Sequence, residues 1–390
     1  MQYNHGTSQM NSPNLAQYVE PPRAIRELLA EAGIRINGDA SWDMRVLDDT
    51  VYRRVLVHGS LGLGEAYMDG LWEADRLDEF FHRLLRYDLN EKVGGWRRWR
   101  LIGAVLRHLL LNPQSPLRAF QVGEQHYDIG NDVFQAMLDP TMSYSCAYWA
   151  DADNLADAQR HKLELICRKL ELRPGERLLD IGCGWGGLAH HAATHHGVEV
   201  VGITVSRQQF EFARRRCAGL PVRIEFQDYR EIEGSFDKIV SVGMFEHVGP
   251  KNYPVYLETV RRVLADEGLF LLHTIGDYTT TRTTEPWIEK YIFPNGKLPS
   301  ARQLTEALER RFVIEDWHNF GPDYDRTLMA WWANFDANWP RLRNRYDPRF
   351  YRMWKYYLLS CAGFFRARQG QLWQLVLSGR QRSAVYRSVR

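Results

Sequence analysis

Residues 177–187 constrain the fold of this chain more than any other stretch of its sequence. A short apolar run, Arg-Leu-Leu-Asp-Ile, passes into Gly-Cys-Gly-Trp-Gly-Gly, and the pattern of residues 188–196 predicts a helix. Glycines adopt dihedral angles that other residues avoid, and they let a ligand approach the main chain. The helix that follows offers unpaired N–H groups at its first turn. The stretch therefore predicts a strand, a tight turn and a helix, the arrangement that forms nucleotide sites in α/β sheets.

Two kinds of cofactor are compatible with this glycine loop. Gly182, Gly184 and Gly187 have the G-x-G-x-x-G spacing of dinucleotide-binding enzymes. Asp180 and the first two glycines instead match the D-x-G-x-G loop of S-adenosylmethionine-dependent methyltransferases, where a carboxylate suits the cationic sulfonium and amino groups. A NAD enzyme is expected to carry an acid about 20 residues further on. The next strand, 199–204, ends in Gly-Ile-Thr, which disfavours NAD but also departs from many methyltransferases.

The glycine loop begins a regular alternation of strands and helices. Helices are predicted at 206–217 and 253–264, and strands at 177–182, 199–204, 222–227, 236–242 and 269–275. Such alternation predicts a parallel sheet with helices on both faces. Reactive groups in these sheets gather at the carboxyl ends of the strands, near which Thr204, Asp228, Glu246 and His273 lie. The expected fold is α/β, with a Rossmann-like, mostly parallel sheet.

A chain of 390 residues predicts more than one domain. Residues 1–20 are polar and predicted to be flexible. Residues 21–115 are assigned to a small N-terminal domain, and residues 116–390 to the domain that contains the glycine loop. The boundary is placed at Asn-Pro-Gln-Ser-Pro, residues 112–116. Residues 96–111 combine Trp and Arg at helical spacing, which predicts either a membrane-surface helix or a packed helix with a basic rim.

Composition excludes several classes of protein. A formal net charge of +2 argues against a general nucleic-acid binder, and we predict no nucleic-acid partner. No apolar run approaches the roughly 18 residues of a membrane-spanning helix, and the N-terminus lacks the features of a signal peptide. Five cysteines form no C-x-x-C pair, which favours a reducing cytoplasm. Histidines at 190, 191, 195 and 196 share helix faces, but no cysteine or carboxylate completes a ligand set, so no metal site is predicted.

A series of long motifs carries a resemblance that covers nearly the whole chain beyond residue 20. They are Glu-Gln-His-Tyr-Asp-Ile-Gly-Asn-Asp (124–132), Tyr-Ser-Cys-Ala-Tyr-Trp (144–149), Leu-Asp-Ile-Gly-Cys-Gly-Trp-Gly-Gly (179–187), Gly-Met-Phe-Glu-His-Val-Gly-Pro-Lys-Asn-Tyr (243–253), Leu-Leu-His-Thr-Ile-Gly (271–276) and Lys-Tyr-Ile-Phe-Pro-Asn-Gly (290–296). With these motifs the chain resembles the bacterial cyclopropane-fatty-acyl-phospholipid synthases. Mycobacterial mycolic-acid cyclopropane synthases share the catalytic half but lack the N-terminal domain, so its presence favours the phospholipid type.

The resemblance implies a reaction with three chemical needs. A methylene group passes from S-adenosylmethionine to the cis double bond of an unsaturated acyl chain in a membrane phospholipid, and a cyclopropane ring forms. Because an alkene that accepts a methyl group becomes a carbocation, water must be excluded. Aromatic faces should stabilise the positive charge, and a base must lie beside the new methyl group.

The resemblance also assigns the residues. It implies that the base is a bound bicarbonate ion held by Cys146, Glu246, His273, Ile275 and Tyr324. Cys361 is implied to be an active cysteine, although the reaction requires no covalent enzyme intermediate. The implied cofactor contacts are Tyr127, Tyr144, Ser145, Asp180, Gly182, Cys183, Gly184, Thr204, Ser206, Gln209, Asp228 and Tyr229.

The expected partners follow from a phospholipid substrate. The enzyme should be cytoplasmic and bind peripherally at the inner face of the membrane, with residues 96–111 and the basic tail, residues 380–390, in contact with lipid. The resemblance also implies a homodimer. It implies a class I (Rossmann-like) S-adenosylmethionine-dependent methyltransferase fold with a small N-terminal domain. Residues 116–390 would be the catalytic domain, and residues 21–115 would serve lipid or membrane docking or dimerisation. Three alternatives remain at this stage: a lipid C-methyltransferase that stops at a methyl branch or methylene, a NAD-dependent oxidoreductase, and a non-catalytic lipid-binding module.

Overall fold

The computed structural model of the chain describes residues 20–87, 129–281 and 284–390. The predicted helix at 96–111, the predicted domain boundary at 112–116 and Tyr127 lie outside these ranges. The division at residue 115 therefore stays a prediction.

Twelve α-helices and nine strands are present in the described ranges. The helices are α1 Arg23–Glu31, α2 Thr50–Met68, α3 Leu77–Arg86, α4 Asn131–Met137, α5 Leu155–Lys169, α6 Gly187–His196, α7 Arg207–Arg216, α8 Tyr253–Val263, α9 Pro286–Tyr291, α10 Ala301–Leu308, α11 Pro322–Leu342 and α12 Pro348–Arg366. The strands are β1 Arg45–Val46, β2 Trp72–Glu73, β3 Arg177–Ile181, β4 Glu199–Thr204, β5 Val222–Phe226, β6 Phe236–Val242, β7 Leu264–Asp277, β8 Val313–Asn319 and β9 Gly370–Ser378.

A seven-stranded sheet of order β5-β4-β3-β6-β7-β9-β8 forms the centre of the molecule. The strands from β5 to β7 pair in parallel, and β9 pairs antiparallel with both β7 and β8. The strand order reverses at β3, so the loops after β3 and β6 flank the crevice in which such sheets bind ligands. The prediction of a mostly parallel α/β sheet is confirmed.

Within α2, Gly59 has non-helical backbone angles (φ 58°, ψ −131°), so two helical segments meet at a kink there. One local prediction differs from the structure. Strand β7 is longer than the predicted 269–275, because β9 pairs with it as far as Asp277. An isolated apolar run cannot indicate how far a distant partner strand will extend it.

The N-terminal helices share a hydrophobic core with the C-terminal half. Phe81 of α3 contacts Tyr356 of α12 edge to face, with ring centroids 5.1 Å apart. Gly363 of α12 permits this approach, since a Cβ there would lie 2.6 Å from the Cβ of Phe81. Arg366 joins the two parts by donating to Asp78 of α3 at 2.7 Å and to Asp325 of α11 at 2.9 Å.

Three further predictions bear on cellular location. Within the ranges the structure describes, no helix has both the length and the apolar character needed to cross a membrane. All five cysteines are free thiols. In the basic tail, Arg382 donates to Glu171 at 2.9 Å and Arg390 to Asp316 at 2.7 Å. Both side chains form ion pairs within the chain, and the contact of residues 380–390 with lipid stays a prediction.

Candidate functional site

The carboxyl ends of the central strands open into a cavity of about 1350 Å³. The predicted site residues that line it are Tyr144, Ser145, Asp180, Gly182, Cys183, Gly184, Thr204, Ser206, Gln209, Asp228, Tyr229, Glu246, Ile275, Tyr324 and Cys361. Cys146 and His273 are buried behind this wall, with exposed fractions of 0% and 1%. One cavity therefore brings together residues predicted for the cofactor and residues predicted for the base.

The glycine loop after β3 forms one end of the cavity. Gly182 has a φ of 81°, and a Cβ there would lie 2.8 Å from the side chain of Met244. Asp180 precedes the loop, is almost fully buried, and its Oδ2 has no hydrogen-bond partner among the described residues. Burial raises the pKa of Asp180 to about 7. A buried carboxyl group in this state would favour a cationic ligand group beside it.

Lys162 of α5 also lines this end of the cavity, and the sequence analysis missed it. Its Nζ donates to Ser145 Oγ at 2.9 Å, and burial lowers its pKa to about 8. Lys162 follows Leu155 and Ala158 at helical spacing and so lies on the apolar face of α5. A lysine on the apolar face of a helix could have indicated a functional residue in the sequence, because buried lysines are rare without a charged or polar partner.

The ends of β4 and β5 provide polar groups at the neighbouring wall. Thr204 Oγ1 donates to Gln209 Oε1 at 2.9 Å. Ser206 caps α7 by accepting a hydrogen bond from the backbone N–H of Gln209 at 3.4 Å. Asp228 accepts a hydrogen bond from the backbone N–H of Arg230 at 2.9 Å, which fixes the turn that carries Tyr229. These contacts hold a polar edge beside the glycine loop.

Glu246 lies in the turn after β6, on the opposite side of the crevice. Its Oε1 accepts a hydrogen bond from the backbone N–H of Ile275 at 2.7 Å. Its Oε2 is buried and has no partner in the described part of the chain. Burial raises the pKa of Glu246 to about 7. The Ile275 amide was predicted to contact bicarbonate, and in this structure it holds Glu246, so an anion would have to share it.

His273 lies two residues before Ile275 on β7, and residues so spaced point to the same face of a strand. Its Nδ1 lies 3.2 Å from Nε2 of Gln374, while its Nε2 is buried with no partner in the described ranges. Burial lowers the pKa of His273 well below its ordinary value, and the positive charges of Lys162 and Lys169 act in the same direction. The imidazole is therefore neutral.

Cys146 and Tyr324 complete the predicted set. The Cys146 thiol donates to the carbonyl oxygen of Ala147 at 3.3 Å, and burial raises its pKa well above the ordinary value. Tyr324 is buried and stacks on Phe365 with ring centroids 4.4 Å apart. Burial also raises the pKa of Tyr324, and its neighbours Cys146 and Glu246 add to the increase. All of these groups are uncharged donors or acceptors beside Glu246.

Aromatic rings surround the space between the two ends of the cavity. Tyr144 and Tyr357 form a hydrogen bond between their hydroxyl groups at 2.8 Å. The ring of Tyr144 lies 5.2 Å from that of Trp331, and Phe293 lies 5.9 Å from Tyr357. Such rings exclude water and present negative faces to a developing cation.

Cys361 lies on α12 at the apolar part of the cavity. Burial raises the pKa of its thiol to about 12. A thiol in this state is neutral and a poor nucleophile, because the thiolate is the reactive form. Cys361 is thus part of the cavity wall, and the described residues provide no partner that would activate its thiol.

The histidines of α6 have neighbours that the sequence did not indicate. Donor atoms of Cys167, His191 and His196 lie within 4.8 Å of one another. The Glu164 carboxylate lies 3.1 Å from Nε2 of His196 and 3.4 Å from Nε2 of His191. The statement that no cysteine or carboxylate joins these histidines was therefore wrong, because α5 brings both. Hydrogen bonds to Glu164 account for the cluster, and we assign no ion to it.

Comparisons with known proteins identify the family of the chain. The sequence model of the family "Mycolic acid cyclopropane synthetase" matches residues 114–375. The chain is 58% identical over 356 residues to the cyclopropane-fatty-acyl-phospholipid synthase of Escherichia coli strain K12, which covers 91% of this chain and 93% of that protein. It is 34% identical over 360 residues to the tuberculostearic acid methyltransferase UfaA1 of Mycobacterium tuberculosis, with coverage of 85% and 82%.

A solved structure gives the same fold. The crystal structure of mycolic acid cyclopropane synthase CmaA1 complexed with SAH and CTAB superposes with a TM-score of 0.60 at 33% identity. The match covers 65% of this chain and 95% of that one. The fold is thus that of class I S-adenosylmethionine-dependent methyltransferases. The alternatives of a NAD-dependent oxidoreductase and of a non-catalytic lipid-binding module were wrong.

Proposed function

The chain belongs to the mycolic acid cyclopropane synthetase family, and we propose that it transfers a methylene group from S-adenosylmethionine to an unsaturated acyl chain of a membrane phospholipid. The product is a cyclopropane ring at the position of the cis double bond. One observation supports this most strongly: a single cavity, lined in part by aromatic rings, extends from the Asp180 loop to Glu246, and His273 is buried behind its wall.

The residues at the glycine loop fit the cofactor. The amino acid part of S-adenosylmethionine carries an ammonium and a carboxylate, and the loop offers Asp180 and Lys162, two buried groups of opposite charge. Ser145, held by Lys162, and the loop backbone complete this end. Thr204, Gln209, Asp228 and Tyr229 would hold the nucleoside part. Tyr127 stays a prediction outside the described ranges.

The residues around Glu246 fit bicarbonate. Glu246 Oε2 and His273 Nε2 are buried polar atoms without partners in the described part of the chain, and such atoms are costly unless a ligand or water satisfies them. Bicarbonate has both a donor and acceptors, so it can bind an acceptor and a donor together. Cys146 and Tyr324 would complete this pocket. When bound, the cofactor supplies the one-carbon unit and the bicarbonate accepts a proton.

The chain's own residues would control the environment of the reaction. Tyr144 and Phe293 line the cavity and would exclude water from the space between cofactor and base, with the buried Trp331 packed against Tyr144. Glu246, fixed by the Ile275 amide, orients the anion and does not have to accept the proton itself. Cys361 contributes an apolar wall.

An acyl chain would extend from this space towards the N-terminal helices. Leu63, Phe81, Leu84 and Leu85 line the cavity together with Phe364. These residues are apolar, as a lipid tail requires. We propose peripheral binding at the inner face of the membrane, in the cytoplasm and as a homodimer, with residues 96–111 at the lipid surface.

The decisive experiment is direct. Purified protein is mixed with S-adenosylmethionine and vesicles of a monounsaturated phospholipid, with and without bicarbonate in CO2-depleted buffer, and the acyl chains are analysed by mass and proton NMR. A gain of CH2 with a cyclopropane signal, dependent on bicarbonate, is the expected result. Loss of rate on charge reversal of Arg97, Arg98 and Arg107 on vesicles but not on a detergent-dispersed lipid would support docking by residues 96–111.

A second candidate function is a lipid methyltransferase that stops before ring closure. The name of the relative UfaA1, a tuberculostearic acid methyltransferase, favours keeping it. It predicts a gain of CH2 with vinyl or methylene protons retained in the NMR spectrum. That result would refute the cyclopropane assignment while leaving the cofactor site intact.

A further inference from the structure

Gln374 of β9 is a fully buried polar residue that the proposed reaction does not yet use. Antiparallel pairing places it directly opposite His273 of β7 on one side and opposite His318 of β8 on the other. Its Nε2 lies 3.2 Å from Nδ1 of His273. This is the one hydrogen bond that His273 makes through its ring within the described ranges.

The orientation of the Gln374 amide follows from which atoms can be left unpaired. When Nε2 faces His273, the atom of Gln374 that has no partner in the described ranges is Oε1. The reversed amide would leave an NH2 group unpaired in the interior. Unpaired buried N–H groups are rarer than carbonyl oxygens without a partner. The amide therefore donates to Nδ1, and a neutral imidazole that accepts at Nδ1 carries its proton on Nε2.

We propose that Gln374 is a positioning residue that holds His273 as the neutral Nε2–H tautomer. In this form His273 donates a hydrogen bond to the bound anion, and the same anion donates a hydrogen bond to Glu246. This rests on the proposed function. Glu246 Oε2 and His273 Nε2, both without a partner in the described ranges, then offer one acceptor and one donor. Bicarbonate matches that pair, whereas a fully deprotonated anion would meet the Glu246 oxygen as a second acceptor.

The charges around His273 support the neutral form. Lys162 and Lys169 of α5 both oppose a positive imidazole. Lys169 itself lies 3.1 Å from Nδ1 of His318 and 3.4 Å from Asp316. A carboxylate in place of the amide would reverse the preference, since it accepts from Nδ1–H and leaves Nε2 bare.

The test measures the tautomer first. The full chain, labelled with 15N-histidine in CO2-depleted buffer, is studied by NMR of the imidazole nitrogens, with His273→Asn to assign the signals. We expect the proton on Nε2 of His273, and its transfer to Nδ1 in Gln374→Glu. Gln371→Glu, the same change on the same strand, should leave the signals unchanged. A proton on Nδ1 of the unaltered protein would refute the proposal.

The kinetic arm separates positioning from folding. Gln374→Met, which keeps the volume but cannot donate, should raise the bicarbonate concentration for half-maximal rate at least tenfold. Its affinity for S-adenosylmethionine, measured by calorimetry, should stay within about twofold and so report a folded site. An unchanged bicarbonate dependence in Gln374→Met would overturn the proposal. If the unaltered enzyme needs no bicarbonate, the proposed base fails, while the tautomer measurement still decides the role of Gln374.

Discussion

Replacement of Glu246 by glutamine should stabilise the protein at high pH while it removes activity. The folded-state pKa of Glu246 is about 7, against an ordinary value of 4.5. A carboxyl group whose pKa rises on folding favours the folded state below the unfolded pKa, and this advantage is lost as pH rises through the folded pKa. The raised pKa lowers the free energy of unfolding by about 3 kcal/mol at pH 8.5, at about 1.4 kcal/mol for each pKa unit. At pH 5 it lowers this free energy by less than about 1 kcal/mol.

The amide of Glu246→Gln has no charge to lose. Its free energy of unfolding relative to the unaltered protein should therefore increase by about 2–3 kcal/mol between pH 5 and pH 8.5. Urea unfolding at both pH values in CO2-depleted buffer measures this, and comparison across pH cancels the constant cost of the new NH2 group. Glu309→Gln, at an exposed position, is the matched control.

Activity should fall at least 100-fold in Glu246→Gln, because general-base catalysis typically contributes about 10²–10⁴. With the amide oxygen on the Ile275 N–H, the NH2 group takes the place of Oε2 and cannot accept a hydrogen bond from the O–H of bicarbonate. A stability difference that does not change with pH would refute the burial argument. Full activity with the predicted stability would instead refute the role of Glu246 in holding the base.

Three other changes test separate parts of the structure. Lys162→Met should weaken S-adenosylmethionine binding by about tenfold to a hundredfold in calorimetry, since a charged hydrogen bond is worth about 1.5–3 kcal/mol; an unchanged Kd would exclude Lys162 from the cofactor site. Gly64→Ala should lower the free energy of unfolding by about 1–3 kcal/mol, because the new Cβ would lie 2.3 Å from Trp287; Ser60→Ala in the same helix is the control. Cys361→Ala should keep activity within several-fold at pH 7.5, since burial raises the thiol pKa to about 12; loss of turnover with normal cofactor binding would show a chemical role.

The sequence was sufficient for the five parallel strands of the sheet and for their carboxyl ends. Apolar runs located β3, β4 and β6, and Asp180, Thr204 and Glu246, which lie at or just beyond the ends of these strands, had to meet at one edge because parallel strands end together. The glycine spacing also placed the loop correctly. These inferences depend on local periodicity, which a single sequence displays directly.

Other parts of the site depend on contacts between distant segments. Cys146 is anchored beside α11, where Thr327 accepts a hydrogen bond from the Ala147 backbone at 3.1 Å, and only the family motifs could connect residues so far apart. Gln374 pairs with His273 through a strand whose partner was not predictable, because the apolar run at 370–378 contains no signal for register. Glu164 and Cys167 met the histidines of α6 through helix packing.

The shared core of α3 and α12 has a practical consequence for dissecting the enzyme. A fragment that begins where the family match begins, at residue 114, would leave Tyr356 and the cleft at Gly363 facing water. Arg366 would keep its ion pair with Asp325 but lose the one with Asp78. Exposed aromatic faces of this kind promote self-association. Deletion fragments would therefore be insoluble, and a loss of activity in them would not show which residues act in the reaction. Co-expression of the two halves as separate chains, which can reassemble through this face, is the sounder way to ask what each half contributes.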